Sequence, residues 1–131
     1  MPRFGARSKK MLSSCDERLQ RVLNEVIKHV DCSVIEGHRN EERQNKLYEE
    51  DKTKVYWPNG RHNSNPSRAV DVVPYPIDWD DRERFHLFAG FVIGIAKSME
   101  INLRWGGDWD QDWYVHDNRF DDFPHFELKE K

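Results

Sequence analysis

The stretch Arg61-His62-Asn63-Ser64-Asn65-Pro66-Ser67-Arg68-Ala69-Val70-Asp71-Val72-Val73-Pro74 changes character halfway along. Its first half is made of turn formers. Together with Pro58, Asn59 and Gly60 it predicts a long ordered loop over residues 51–68, and loops of that length tend to carry function. The second half, Ala69 to Val73, predicts a buried strand stopped by Pro74 and Pro76. Asp71 stands out inside it, with Ala69 and Val70 on one side and Val72 and Val73 on the other. An unpaired buried carboxylate costs several kcal/mol, so Asp71 needs a cation, a metal or a row of donors, and Arg61 and Arg68 are its nearest basic neighbours along the chain.

The flanking segments have the periods of regular structure. Leu19, Val22, Leu23, Val26, Ile27 and Val30 recur on one face and predict a helix over residues 14–30, opened by a Ser14 and Glu17 capping box. Cys32 to Ile35 reads as a short strand ended by Gly37, and Asn40 to Glu50 as a surface helix. After the quoted stretch, Phe85, Phe88, Ala89, Val92, Ile93 and Ala96 form the stripe of a second strong helix that begins near Asp80 and Glu83. Ile101 to Trp105 reads as a strand ending at Gly106-Gly107, residues 108–122 as an acidic and aromatic loop, and Phe123 to Leu128 as a last strand. This order predicts a small α+β single domain over residues 1–131, its core over about 14–128, with an antiparallel sheet packed against helices.

A chain of 131 residues has room for one hydrophobic core. Its 21 Lys and Arg against 24 Asp and Glu leave a formal charge of −3, which argues against a generic partner of nucleic acid or anionic membrane. No apolar run is long enough to cross a bilayer and no apolar signal core follows the N-terminal basic residues, so synthesis in the cytoplasm without membrane insertion is expected. Cys15 and Cys32 are too few for a disulfide framework and read as core thiols. His29 and His86 read as ordinary helix positions.

A second chemical cluster is Asp121-Asp122-Phe123-Pro124-His125-Phe126-Glu127. Strand alternation puts His125 and Glu127 on one face and Phe126 on the other, toward the core. Pro124 removes a backbone donor, which places Asp122 in a bend before the strand, where it and His125 can approach one point. On residue chemistry, two neutral imidazoles and one carboxylate make a three-ligand Zn²⁺ site with an open fourth position, as hydrolytic zinc requires. Asp108, Asp110 and Asp112 begin like a calcium loop, but the sixth position is Trp113 and the twelfth Arg119, so a solvated acidic loop is expected there. Trp105, Trp109 and Trp113 are candidates for either a cleft wall or the core, and His38 and His116 for polar loop positions at its edge.

The His62 to Asp71 stretch, Trp105-Gly106-Gly107-Asp108-Trp109 and Asp122-Phe123-Pro124-His125-Phe126-Glu127 together resemble the zinc D,D-carboxypeptidase/L-alanyl-D-glutamate endopeptidase family, in its phage endolysin branch of VanY-like peptidases. The resemblance runs from about Val34 to Leu128 and has its motifs in the right order. It implies a Hedgehog/D,D-peptidase-like fold, zinc held by His62, Asp71 and His125, and Asp122 as general base. Gly37-His38-Arg39 looks like the family's arginine motif, which makes Arg39 the residue that steadies an oxyanion, and Gln44 matches a glutamine just downstream of it. The chain departs from the common pattern at Gly60, where the family has Ser or Thr, and in a longer loop between His62 and Asp71.

The chemistry also follows from the side chains. Zinc brings the pKa of a coordinated water to about 7. Asp122 can take that water's proton and return it to the leaving amine, and Arg39 can stabilise the oxyanion or grip a substrate carboxylate. Glu127 reads as an orienting partner of a ligand histidine or as an ordinary strand-end glutamate. The resulting expectation is a monomeric zinc metallopeptidase that cuts peptidoglycan stem peptides, most simply at L-Ala-D-Glu. It would be made in a host's cytoplasm and act on the wall after release. Removal of terminal D-Ala by a carboxypeptidase, a His/Asp metal nuclease and a noncatalytic zinc-binding module are the alternatives.

Overall fold

The computed structural model, which describes residues 2–118 and 120–130, is built on one four-stranded antiparallel sheet. The elements in chain order are α1 (Ala6–Ser13), α2 (Glu17–Val26), β1 (Cys32–Glu36), α3 (Glu41–Glu49), β2 (Ala69–Pro74), α4 (Arg82–Ser98), β3 (Leu103–Gly106) and β4 (Asp122–Leu128). A single 3-10 turn, Arg61–Asn63, lies in the long loop between α3 and β2. The strands lie side by side as β1-β2-β4-β3, so the last described strand is inside the sheet and not at its edge.

Alternation along the two central strands divides the molecule into two functional faces. Val70 and Val72 of β2, with Phe126 and Leu128 of β4, enter the core against Leu19, Val22 and Val26 of α2 and Phe88, Ala89, Val92 and Ala96 of α4. Asp71 pairs with His125 and Ala69 with Glu127 across these strands, so the polar set shares the opposite face. The long loop brings His62 against Asp71 on that face, and every residue of β2 is buried. This helix-on-sheet arrangement is the α+β domain that the order of elements predicts.

The chain has one more helix than its hydrophobic periodicity predicts. Helix α1 buries only Ser8 and Leu12, too little to leave a stripe in the sequence. Together with Phe4, Leu12 carries the core N-terminal to residue 14. The Ser8 hydroxyl accepts from the Val34 N–H at 3.0 Å and so occupies a donor of edge strand β1. Helix α2 also begins later than the Ser14 and Glu17 spacing predicts. Its cap is Asp16, whose carboxylate accepts from the Arg18 N–H at 2.9 Å. Ser14 instead closes α1, and its hydroxyl accepts from the His38 N–H at 2.9 Å. Asp122 is the first residue of β4, opposite Gly106 at an irregularity in the β3–β4 ladder, and not in a bend before the strand. Pro124 is tolerated inside β4 because it falls within that irregular stretch.

Candidate metal centre and active site

Three segments distant in sequence supply one cluster. Asp71 comes from the middle of β2, His125 from the facing position of β4, and His62 from the 3-10 turn of the long loop. All three are buried. The Asp71 Oδ1 lies 3.3 Å from His62 Nε2 and 3.3 Å from His125 Nδ1, and the two ring nitrogens are 3.3 Å apart. Three donors in an equilateral triangle of that edge match one face of a tetrahedron, since zinc bonds of about 2.0–2.1 Å place neighbouring ligand atoms about 3.3 Å apart.

The lone pairs are aimed by the atoms behind the rings. His62 Nδ1 lies 2.7 Å from the Gly37 carbonyl, which can only accept, so the proton sits on Nδ1 and Nε2 is free. Neutral His125, the form that binds a metal, uses the opposite tautomer, because Nε2 donates to Glu127 Oε1 at 2.8 Å and leaves Nδ1 free. Asp71 Oδ1 is buried without a hydrogen-bond partner among the described residues. A buried oxygen left in this state beside two inward lone pairs fits a cation, so the residues present suit a zinc ion.

The Gly37 carbonyl can approach His62 because nothing extends from its Cα. A Cβ there would meet the Met11 carbonyl and the Ser14 hydroxyl at the end of α1. Gly60 stands where the resembled family carries a hydroxyl, and here Asn63 takes over part of the local bonding. Its Oδ1 accepts from the Gly60 N–H at 2.8 Å and its amide donates to Gln44 Oε1 at 3.0 Å. Gln44 is buried and donates to the Val55 carbonyl at 2.6 Å, which ties α3 to the long loop.

Around the triangle lies a cavity of about 370 Å³ whose walls include Arg39, Arg61, Arg104, Trp109, Asp122 and Phe120. Asp71 is bridged to Arg39 at 3.3 Å. It does not pair with Arg61 or Arg68, the partners that sequence proximity offers, since Arg68 engages Glu130 at 2.6 Å and Arg61 lies 3.4 Å from Glu127. Arg39 is also held by Glu36 at 2.6 Å, and Glu36 is a residue that the sequence did not single out. The signal was available only as an i, i+3 pairing between the end of β1 and the turn after it.

The charges shift one another. Burial pushes the Asp71 carboxyl up, but the facing imidazoles of His62 and His125 outweigh it and hold it below the usual carboxylate range. Burial lowers His125, and the neighbouring carboxylates of Asp71 and Glu127 more than reverse this, raising it to about 9. Glu127 is brought down to about 2, burial opposing and His125 with Arg104 prevailing. Asp122 is raised above the usual carboxylate range, first by burial and then by the charge of Asp71.

The three tryptophans divide. Trp105 is core, Trp109 faces the cavity with its ring centroid 5.5 Å from that of His125, and Trp113 is exposed and does not line the cavity. His38 is turned to the Ser64 carbonyl at 2.8 Å, and His86, in α4, packs edge-on against Trp105 and Phe123. The acidic loop is only partly solvated, because Asp110 and Asp112 are exposed while Asp108 is buried and its Oδ2 accepts from the Trp113 N–H at 2.9 Å. Arg119, the twelfth position of that loop, lies outside the described residues. No described helix is long and apolar enough to cross a membrane.

Comparisons with known proteins agree with this architecture. A family model described as phage L-alanyl-D-glutamate peptidase matches residues 1–129. The peptidoglycan L-alanyl-D-glutamate endopeptidase CwlK of Bacillus subtilis (strain 168) is 27% identical over 114 residues, which cover 77% of this chain and 62% of the Bacillus protein. The L-alanyl-D-glutamate peptidase of Escherichia phage T5 is 26% identical over 121 residues, with 88% of this chain and 87% of the phage protein covered. The crystal structure of Serratia marcescens L-Ala D-Glu endopeptidase ChiX superposes with a TM-score of 0.76 at 28% identity, covering 98% of this chain and 91% of that one.

Proposed function

The chain belongs to the phage L-alanyl-D-glutamate peptidase family, and from that premise we propose that it is a zinc-dependent endopeptidase that hydrolyses the L-alanyl-D-glutamyl bond of peptidoglycan stem peptides. The observation that carries this reading is the 3.3 Å triangle of His62 Nε2, Asp71 Oδ1 and His125 Nδ1 at the wall of an open cavity. When bound there, zinc supplies a Lewis acid that polarises the scissile carbonyl and acidifies water. The side chains do the rest. Asp122 takes the proton of the attacking water and delivers it to the leaving amine as the C–N bond breaks, yielding an alanyl carboxylate and a glutamyl amine. Arg39 offers positive charge to the developing oxyanion, and its anchorage to Glu36 and Asp71 means that it needs no rearrangement to do so.

The L-Ala-D-Glu bond is favoured over terminal D-Ala because the Bacillus and phage T5 relatives and the ChiX structure carry that bond in their names. The enzyme would act as a monomer on the cell wall after leaving the cytoplasm in which it is made. Metal analysis of protein purified without chelator, followed by digestion of defined muropeptides with mass determination of the products, tests the reading. Stoichiometric zinc and scission after L-alanine are expected. Asp122→Asn should keep zinc and lose at least about 100-fold in turnover. Loss of D-alanine alone from the muropeptides would move the enzyme to the carboxypeptidases, and nicked plasmid DNA would move it to the nucleases. Unchanged activity in Asp122→Asn would remove the general base.

A further inference from the structure

Five basic side chains line the cavity although the chain as a whole is acidic, and their partners set them apart. Arg39 is paired with Glu36 and Asp71, which hold it for the oxyanion, Lys52 is paired with Glu50 at 3.3 Å and Arg104 with Glu127 at 2.7 Å. Arg61 and Lys54 are left. Among the described residues, the one acid within reach of Arg61 is Glu127, 3.4 Å from its Nε, and both Glu127 oxygens are already engaged, one by Arg104 and the other by His125 at 2.8 Å. The Arg61 side chain makes no hydrogen bond to any described residue and is 42% exposed at the cavity wall. Its backbone, in contrast, is fixed. The Arg61 carbonyl accepts from the Arg68 N–H at 3.3 Å, and the next residue in the same 3-10 turn is the ligand His62. A forked cation with unused donors is therefore anchored one residue from the donor triangle.

An L-alanyl-D-glutamyl bond places an anion near the same point. A glutamyl residue joined onward through one carboxyl keeps the other. Where the chain continues through the side chain, the free carboxylate carbon lies only about 2.5 Å from the scissile nitrogen by bond geometry. Guanidinium is the side chain whose planar fork matches a carboxylate in bidentate fashion. We propose that Arg61 is the specificity-determining residue that grips the free carboxylate of the glutamyl residue on the leaving side of the cut bond. It thereby selects stem peptides in which that carboxylate is not amidated. Lys54, whose ammonium rests 5.0 Å above the Phe120 ring, adds field without a fork. This inference rests on the proposed endopeptidase activity.

The test uses zinc-loaded protein and two synthetic stem peptides that differ only at that group, one with the free glutamyl carboxylate and one with its primary amide. The wild type should prefer the free acid by roughly 10- to 100-fold in kcat/KM, the range of a charge-assisted hydrogen bond. In Arg61→Gln the preference should collapse to within about threefold, through KM on the free acid, and Arg61→Lys should keep part of it. Calorimetric binding of the released D-glutamyl product peptide should weaken in parallel in Arg61→Gln, a readout independent of turnover. Equal cleavage of the two peptides by the wild type overturns the proposal, as does a loss in Arg61→Gln that is the same for both. So does a preference that follows amidation of a carboxylate further along the peptide. Cleavage of neither peptide at this bond by the wild type overturns the endopeptidase reading itself, and this assignment with it.

Discussion

His125 Nε2 lies 2.8 Å from Glu127 Oε1, two residues further along the same strand, and the other Glu127 oxygen is held by Arg104 at 2.7 Å. The alternation that sends Phe126 into the core puts both side chains on the opposite face. Arg104, across the β3–β4 ladder, then fixes the carboxylate that fixes the imidazole.

Removing that carboxylate's charge should loosen the metal without removing a ligand. Glu127→Gln is expected to weaken zinc about 10- to 100-fold, measured by competition with a chromophoric chelator. Turnover should recover substantially at excess zinc. Unchanged zinc affinity would show that Glu127 does not orient His125.

Metal-free protein should have a stability maximum in weak acid. Glu127, normally near 4.5 and here near 2, contributes in full above about pH 4.5 and loses this as pH falls through about 2. His125, normally near 6.5 and here near 9, contributes in full below about pH 6.5 and loses this as pH rises through about 9. Thermal unfolding of the apoprotein should therefore peak between about pH 4.5 and 6.5, and zinc should abolish the alkaline decline by replacing the proton between the rings. An apoprotein whose Tm rises from pH 6 to 9 contradicts this.

Gly106 is the position through which Asp122 can be moved at a distance. A Cβ there would strike the Asp122 carbonyl and crowd its own Cβ, where β3 and β4 meet irregularly. Gly106→Ala is expected to cost about 1–3 kcal/mol of stability by overpacking. It should also lower kcat by more than it lowers zinc affinity, and parallel titration and kinetics on the same preparation compare the two.

Both thiols should be silent. Burial raises Cys15 and Cys32 to about 12 each. Ellman's reagent at pH 8 should find no reactive thiol in the native protein and two in denaturant. A fast-reacting thiol in the native state would contradict their burial.

What could be read in the sequence followed from period and from misplaced charge. The stripe from Phe85 to Ala96 marks α4, and Asp71 amid β-branched residues announces a partner before any coordinates. Helix α1 was invisible because it contributes almost no apolar face. The identity of Asp71's cation was equally hidden. Arg61 and Arg68 are near in sequence, but β1 pairs beside β2 with a register shift, and this brings Glu36 and the turn carrying Arg39 to Asp71 instead. Pairing order and register are long-range properties, and no local pattern encodes which strand lies next to which. The same holds for Arg104, which reaches Glu127 only through the β3–β4 ladder.

The sheet order has a temporal consequence. Strand β4 fits between β2 and β3, so the interior of the sheet is completed by the segment translated last among the described strands. While residues 122–128 remain inside the ribosomal tunnel, a nascent chain lacks Asp122 and one of the two imidazoles of the donor triangle. Until synthesis has passed that point, a chain therefore has neither a closed sheet nor a complete donor triangle.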